Sequence, residues 1–271
     1  MLGQPLPVLM YHHVSPQPGL VTCSPENFRA QMEWLAKNGW RTLSTAAFAE
    51  SLASGVLPKK SVLITFDDGY LDNWVYAHPV LQEFGLRATV FLITGWVGNG
   101  PVRPHVGQAG VPAVPNHKKA MTDAGAGRFD DAFLRWSEVE MMLAAGTVDF
   151  HSHTHTHTRW DRIIADPSAR DAALTDDLNA SRASLASRLG EATSHLCWPQ
   201  GYFDDRYRQV ALATGFTHLY TTEHGVVRSG CEPARLPRIV AKDKGGHWFG
   251  RRMGIYGHPL LSALYLAVKN R

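Results

Sequence analysis

Short apolar runs alternate with amphipathic stretches along almost the whole chain. Eight runs have the length and composition of buried strands: 8–11, 40–43, 62–66, 88–93, 147–151, 195–198, 217–220 and 236–240. Between them the apolar positions recur at helical spacing. Ser24-Pro25-Glu26 offers an N-cap followed by proline at the first helical position, and Phe28, Met32 and Leu35 then share one face. Ser137 is placed to cap a helix carrying Val139, Met142 and Leu143. Asp166-Pro167 opens another, with Leu174, Leu178 and Leu185 along it. Repeated strand–helix alternation predicts a mainly parallel sheet with helical crossovers. About eight strands without a break in composition predict one α/β domain over residues 1–271, an irregular (β/α) barrel of seven to eight strands. In such barrels the chemistry gathers where strands end and βα loops begin.

Two segments depart from the pattern. Residues 95–127 are rich in Gly and Pro, with Pro101, Pro104, Pro112 and Pro115, and read as an inserted lid, binding loop or mobile segment. Residues 247–271 combine aromatic and aliphatic side chains with Arg251, Arg252, Lys269 and Arg271. Two readings fit this tail. Leu261, Leu264 and Val268 pack a final helix against the body, or the segment lies on an anionic membrane surface.

Composition narrows the function classes. Of the 271 residues, 44% are hydrophobic and 19% charged, enough to bury a core without staples. A net charge of +3 without any long Lys/Arg run gives no footprint for nucleic acid. Cys23, Cys197 and Cys231 are far apart, lack CxxC spacing and suit a reducing compartment. The amino-terminal residues show neither a charged n-region nor a long apolar h-region, and no stretch approaches the ~20 apolar residues of a membrane span. A soluble, cytoplasmic protein is the expectation, at the inner membrane face if the tail binds lipid.

The candidate chemistry lies in two motifs at strand ends. Thr65-Phe66-Asp67-Asp68-Gly69 leaves the strand 62–66 with two adjacent carboxylates, which are costly near a core unless compensated. Helix capping and catalysis explain the pair about equally well; in extended chain the two side chains point to opposite sides. The second motif decides between them. His151, His153, His155 and His157 stand at alternate positions after an apolar strand. Extended, they share a face; helical, His153 and His157 lie one turn apart. Either arrangement presents two imidazoles to a metal, and a carboxylate completes a three-ligand site with an open position.

Together these motifs resemble those of the polysaccharide deacetylases, carbohydrate esterase family 4. Thr65 to Gly69 is similar to the family's Thr-Phe-Asp-Asp-Gly, and Ser152-His153-Thr154 through His157 to its Ser-His-Thr-x-x-His. The resemblance implies Asp67 as catalytic base and Asp68, His153 and His157 as ligands of a divalent metal: Zn first, with Co, Ni or Fe as the other ions for such a set. Val8-Leu9-Met10-Tyr11-His12 resembles the opening strand of the circularly permuted poly-N-acetylglucosamine deacetylases, which implies His12 as the acid for the leaving amine and leaves His13 a structural role. Trp198-Pro199-Gln200-Gly201-Tyr202 resembles the third motif and implies that Gln200, Gly201 and Tyr202 meet substrate or oxyanion. The arginine usual there is replaced, with Cys197 or Trp198 in its region. Arg238, in Arg235-Leu236-Pro237-Arg238-Ile239, is the candidate to hold Asp67 ionised in its stead; the rival is an ordinary surface arginine. The family's Asp-x-x-Asp-Trp motif is not recognisable. The segment 95–127 and the last 25 or so residues lie outside the resemblance.

The implied activity is hydrolytic removal of N-acetyl groups from amino sugars of a polysaccharide, lipid-linked or lipopolysaccharide glycan. Two rivals share the residues: a deformylase or amidase acting on a lipid-linked sugar or small amide, and a carbohydrate-binding or metal-storing barrel without turnover. Metal content without turnover on any N-acyl sugar distinguishes the last.

Overall fold

The computed structural model describes residues 3–269. In chain order the strands are β1 (Val8–Tyr11), β2 (His13–Val14), β3 (Thr22–Cys23), β4 (Arg41–Thr42), β5 (Ser61–Phe66), β6 (Ala88–Leu92), β7 (Val148–Ser152), β8 (His195–Cys197), β9 (His218–His224) and β10 (Leu236–Val240). The helices are α1 (Pro25–Lys37), α2 (Thr45–Ser54), α3 (His78–Phe84), α4 (His117–Gly125), α5 (Trp136–Ala144), α6 (Trp160–Ile163), α7 (Pro167–Leu189), α8 (Asp205–Ala213), α9 (Gly246–Tyr256) and α10 (Pro259–Lys269).

Seven parallel strands close into a barrel in the order β1-β5-β6-β7-β8-β9-β10, because β1 pairs with both β5 and β10. The eighth, β4, pairs with only the first two residues of β5. Its Thr42 Oγ1 accepts from the Arg87 N–H just before β6, so β4 wedges between β5 and β6 where they begin. Alternation along each strand sorts the side chains. Leu63, Phe91, Cys197, Tyr220 and Leu236 fill the barrel, joined by Phe48 and Leu52 of α2, which stops the end where the strands start. Val62, Ile64 and Phe66 point outward onto Phe28, Met32 and Leu35 of α1 and Phe249 and Met253 of α9. Burying each such side chain contributes roughly 1.5–3 kcal/mol. The opposite flank is covered by Leu174 and Leu178 of α7 and Tyr207 of α8.

The predicted barrel is the observed one, and the local departures have physical causes. Only Arg41–Thr42 of the expected strand 40–43 pairs. β9 continues to His224, beyond the apolar run, because its second half is held by β10. The short β2–β3 pair lacked any periodic signal. At α5 the cap is Glu138 rather than Ser137: its carboxylate accepts from the Arg135 N–H at 2.9 Å, while Ser137 Oγ donates to the Gly100 carbonyl. Residues 95–127 are not wholly irregular, since Asn116 caps α4, whose Ala120 and Ala124 pack with Tyr70 and Phe133.

The final helix does lie on the body, but not through the residues expected. Leu261, Leu264 and Val268 are 47%, 67% and 77% exposed. The opposite side of α10 faces the body instead, through buried Ser262 and half-buried Tyr265 and Leu266. Both faces of α10 are apolar, so spacing alone could not choose between them. Asn270 and Arg271 lie outside the described residues. Among the described residues no helix is long and apolar enough to cross a membrane.

Candidate active site

β5 delivers Thr65 and Asp67 to the barrel interior, at the end where the strands finish. Asp68 then takes a left-handed backbone (φ 72°), followed by Gly69 (φ 74°). The turn makes both carboxylates line one cavity, instead of the opposite spaces that extended chain predicts. Gly69 has no alternative, since a Cβ there would sit 2.6 Å from Leu92 Cδ2.

Asp67 is buried and held by Arg238 in a two-pronged ion pair: Nη1 to Oδ1 at 2.7 Å and Nη2 to Oδ2 at 2.8 Å. Arg238 is itself 1% exposed and fixed by donating Nε–H to the Thr221 carbonyl at 2.8 Å. Its Nη2 also lies 3.0 Å from Cys197 Sγ, so a small neutral thiol occupies the third-motif region and an arginine from β10 supplies the charge. Burial pushes the Asp67 carboxyl upward, but Arg238 and His12 outweigh it and hold the group below the ordinary carboxylate range. His12 Nε2 stands 3.8 Å from Asp67 Oδ2. Burial lowers the His12 pKa more than Asp67 raises it, so the resting imidazole is neutral near pH 7.

Asp68 faces a different set. Its Oδ1 is 3.2 Å from His153 Nε2 and 3.5 Å from His157 Nε2. His153 is oriented by its other nitrogen, since Nδ1–H donates to the Cys197 carbonyl at 2.8 Å and leaves Nε2 toward Asp68. His157 is brought back by left-handed turns at Thr154 (φ 66°) and His157 itself (φ 60°), and its N–H donates to Thr154 Oγ1. The segment after Ser152 is therefore neither the strand nor the helix that the spacing allows. Burial lowers the His157 pKa to about 4, so its Nε2 lone pair is free for a ligand at neutral pH. The other two histidines are engaged elsewhere: His151 with Thr45 and Thr193, His155 with Thr94.

The three donor groups of Asp68, His153 and His157 lie within 4.8 Å of one another. A tetrahedral ion with bonds of ~2.1 Å needs ligand atoms about 3.4 Å apart, which matches the spacing from Asp68. A second group, Asp67, His153 and Cys197, has comparable spacing. It does not fit a cation, because the Arg238 guanidinium already contacts both Asp67 and Cys197.

The cavity over these groups has a volume of about 280 Å³ and is also lined by Gln200, Gly201, Trp198, Thr222, His117 and Met121. Among the described residues, four of the six non-glycine residues with positive φ, Val21, Asp68, His157 and Gln200, line it. Strained backbone concentrated in this way marks a functional site rather than a packing accident. Tyr202 is not part of the lining. Its ring packs on Tyr207 under the Arg159 guanidinium, and its hydroxyl donates to Asp204. His117 comes from the 95–127 segment and had no sequence signal. Its Nδ1 contacts His13 Nε2 (3.3 Å) and Tyr70 Oη (3.2 Å), and His13 Nδ1–H donates to Asp72 at 2.6 Å. His13 thus anchors the inserted segment over the cavity.

Comparison with known proteins gives the family. The family model for polysaccharide deacetylases matches residues 54–219. The chain belongs to the polysaccharide deacetylase family. Among its relatives, the Bacillus subtilis protein YxkH is 28% identical over 90% of this chain and 75% of its own length. The poly-β-1,6-N-acetyl-D-glucosamine N-deacetylase of Staphylococcus aureus is 25% identical over 81% of this chain and 68% of its own. In structure the chain is similar to the Streptococcus pyogenes deacetylase PplD (TM-score 0.72, 23% identity, 93% of this chain and 99% of that one). It is equally similar to IcaB from Ammonifex degensii (TM-score 0.71, 24% identity, 94% and 98%). In this member of the polysaccharide deacetylase family, His12 and Arg238 lie outside the matched segment and reach the site only because β1 and β10 close the barrel.

Proposed function

We propose that this protein is a metal-dependent N-deacetylase acting on N-acetylated amino-sugar residues of a glycan, polymeric or lipid-linked. The observation that carries the reading is the division of labour between adjacent carboxylates: Asp67 is bound to Arg238, and Asp68 faces two imidazoles. A purely binding or metal-storing barrel has no use for a buried, arginine-held base beside its ligands. The name of the Staphylococcus aureus relative supports N-acetylglucosamine as the substrate unit.

Asp68, His153 and His157 would hold the ion; when bound there, a divalent metal polarises an acyl carbonyl and acidifies water. The remaining work belongs to the chain. Asp67, ionised by Arg238, takes the proton from the attacking water. The Gln200 amide, presented by a left-handed turn, donates to the developing oxyanion. His12 is neutral at rest and so must first receive a proton, for which Asp67 at 3.8 Å is the source, before passing it to the departing nitrogen. The C–N bond breaks, and acetate and a free amine leave. A cavity of about 280 Å³ sits at the low end of small-ligand pockets, so it takes one acylated residue while the rest of a glycan lies across the mouth.

The test is acetate release from N-acetylglucosamine oligomers and from an N-acetylated lipid-linked sugar, with N-formyl analogues beside them. Activity lost to a chelator and restored by zinc, with acetyl preferred over formyl, is expected. Turnover of formyl substrates alone selects the deformylase reading, and zinc binding without turnover on any of them refutes the enzyme.

A further inference from the structure

The flank formed by α9 and α10 differs from the rest of the surface in charge and in polarity. From Lys244 to the end the chain has five basic residues and no acidic one, so this stretch alone carries +5 against +3 for the whole molecule. Several cations elsewhere are matched, among them Arg29 with Glu83, Arg103 with Glu138, Arg135 with Asp130 and Arg235 with Glu223. Among the described residues, Lys242, Lys244, Arg251, Arg252 and Lys269 form no such pair. Beside these charges α10 exposes Leu260, Leu261, Leu264 and Val268, at 60%, 47%, 67% and 77%. Those positions fall on one side of the helix. Beneath α10 an apolar cavity of about 270 Å³ is lined by Trp248, Met253, Tyr256 and Tyr265, with Lys242, Arg252 and Lys269 also in its wall.

We infer that this flank is an attachment surface for an anionic lipid bilayer. A helix with a bare apolar face, half-buried aromatic rings at its edge and cations without ion pairs alongside is the composition that settles at the headgroup boundary. The charge argues against other occupants. A two-fold contact with a second copy would set one basic surface against another. Nucleic acid would match the cations but leave the leucine stripe without a partner. The cavity wall includes Val240, Ala241 and Lys242, at the barrel end that also carries Asp67 and Asp68. Attachment here would bring the catalytic end near the membrane surface. The inference does not depend on the deacetylase reading.

Vesicle co-sedimentation of the full chain tests it, using phosphatidylcholine alone and phosphatidylcholine mixed with phosphatidylglycerol. The protein should sediment with the phosphatidylglycerol vesicles at low salt, and high salt should weaken this. Leu264→Glu combined with Val268→Glu changes two exposed positions, so the fold survives, and binding should fall by at least about tenfold, the order expected for removing two aliphatic side chains from lipid. Absence of sedimentation, equal binding to both vesicle types, or undiminished binding by the double variant would each overturn the inference. Light scattering supplies the remaining outcome: a dimer that the double variant dissociates would assign the stripe to self-association instead.

Discussion

Asp67 and Asp68 are neighbours in sequence with opposite surroundings, and each consequence can be measured. Removing Arg238 would leave Asp67 as an uncompensated buried charge, which costs about 3–5 kcal/mol. Arg238→Met should therefore lower the urea-unfolding free energy by that order, and adding Asp67→Asn should recover a large part of it. Additive losses in the double variant would mean that the pair does not act as a unit. A second group of residues fixes the acid limit of stability. The rings of His151 and His195 lie 4.6 Å apart inside the barrel, tilted by 33°, and burial lowers their pKa values to about 4 and about 2 from the ordinary 6.5. Both are neutral when folded, whereas the unfolded chain takes up protons below 6.5. Stability is thus full above pH 6.5 and falls toward pH 4 by about 1.4 kcal/mol per unit for each imidazole. Urea midpoints at pH 7, 6 and 5 should decline accordingly, and a flat profile would show that these histidines are accessible in the folded state. Adjacency made Asp67-Asp68 and His153/His157 legible in the sequence. Arg238, 171 positions from Asp67, was one candidate among many until the barrel closed. His117 had no signal, because only the course of the inserted segment brings it to the cavity.

At the level of elements, the turns after strands set the site, and they depend on backbone that few residues tolerate. The turn after β8 is the clearest case. Gln200 and Gly201 are both left-handed, and a Cβ on Gly201 would lie 2.1 Å from Thr222 Oγ1. Gly201→Ala must move Thr222, another residue of the cavity wall, or displace the Gln200 amide. A loss of about 1–3 kcal/mol in stability is expected, with a fall in kcat larger than any change in KM, because the oxyanion donor moves. Unchanged kcat would remove Gln200 from the oxyanion role. Period-two and period-3.6 patterns located the strands and helices, since burial of one face imposes them. They could not locate β2 and β3, too short to show a period, nor tell which face of α10 is covered, since both are apolar.

For the molecule as a whole, closure of the barrel is what joins chemistry from the chain's two ends to the two central motifs. The end of β1 contributes His12, the turn after β5 the carboxylates, the turn after β7 the imidazoles, and β10 the arginine. Strand–helix alternation predicted a parallel sheet with helical crossovers, and about eight strands without a break in composition favoured a barrel, but closure itself has no periodic signal. The proposed chemistry makes the base and the metal ligands separate groups in one cavity. It is tested most directly by acetate release from an N-acetylglucosamine oligomer by zinc-loaded Asp67→Asn protein beside the wild type. Removing a positioned base costs on the order of 10²–10⁴ in rate, so turnover should fall by that factor while the variant retains one bound zinc. A variant that keeps near-normal turnover, or one that loses its zinc along with its activity, would contradict the claim.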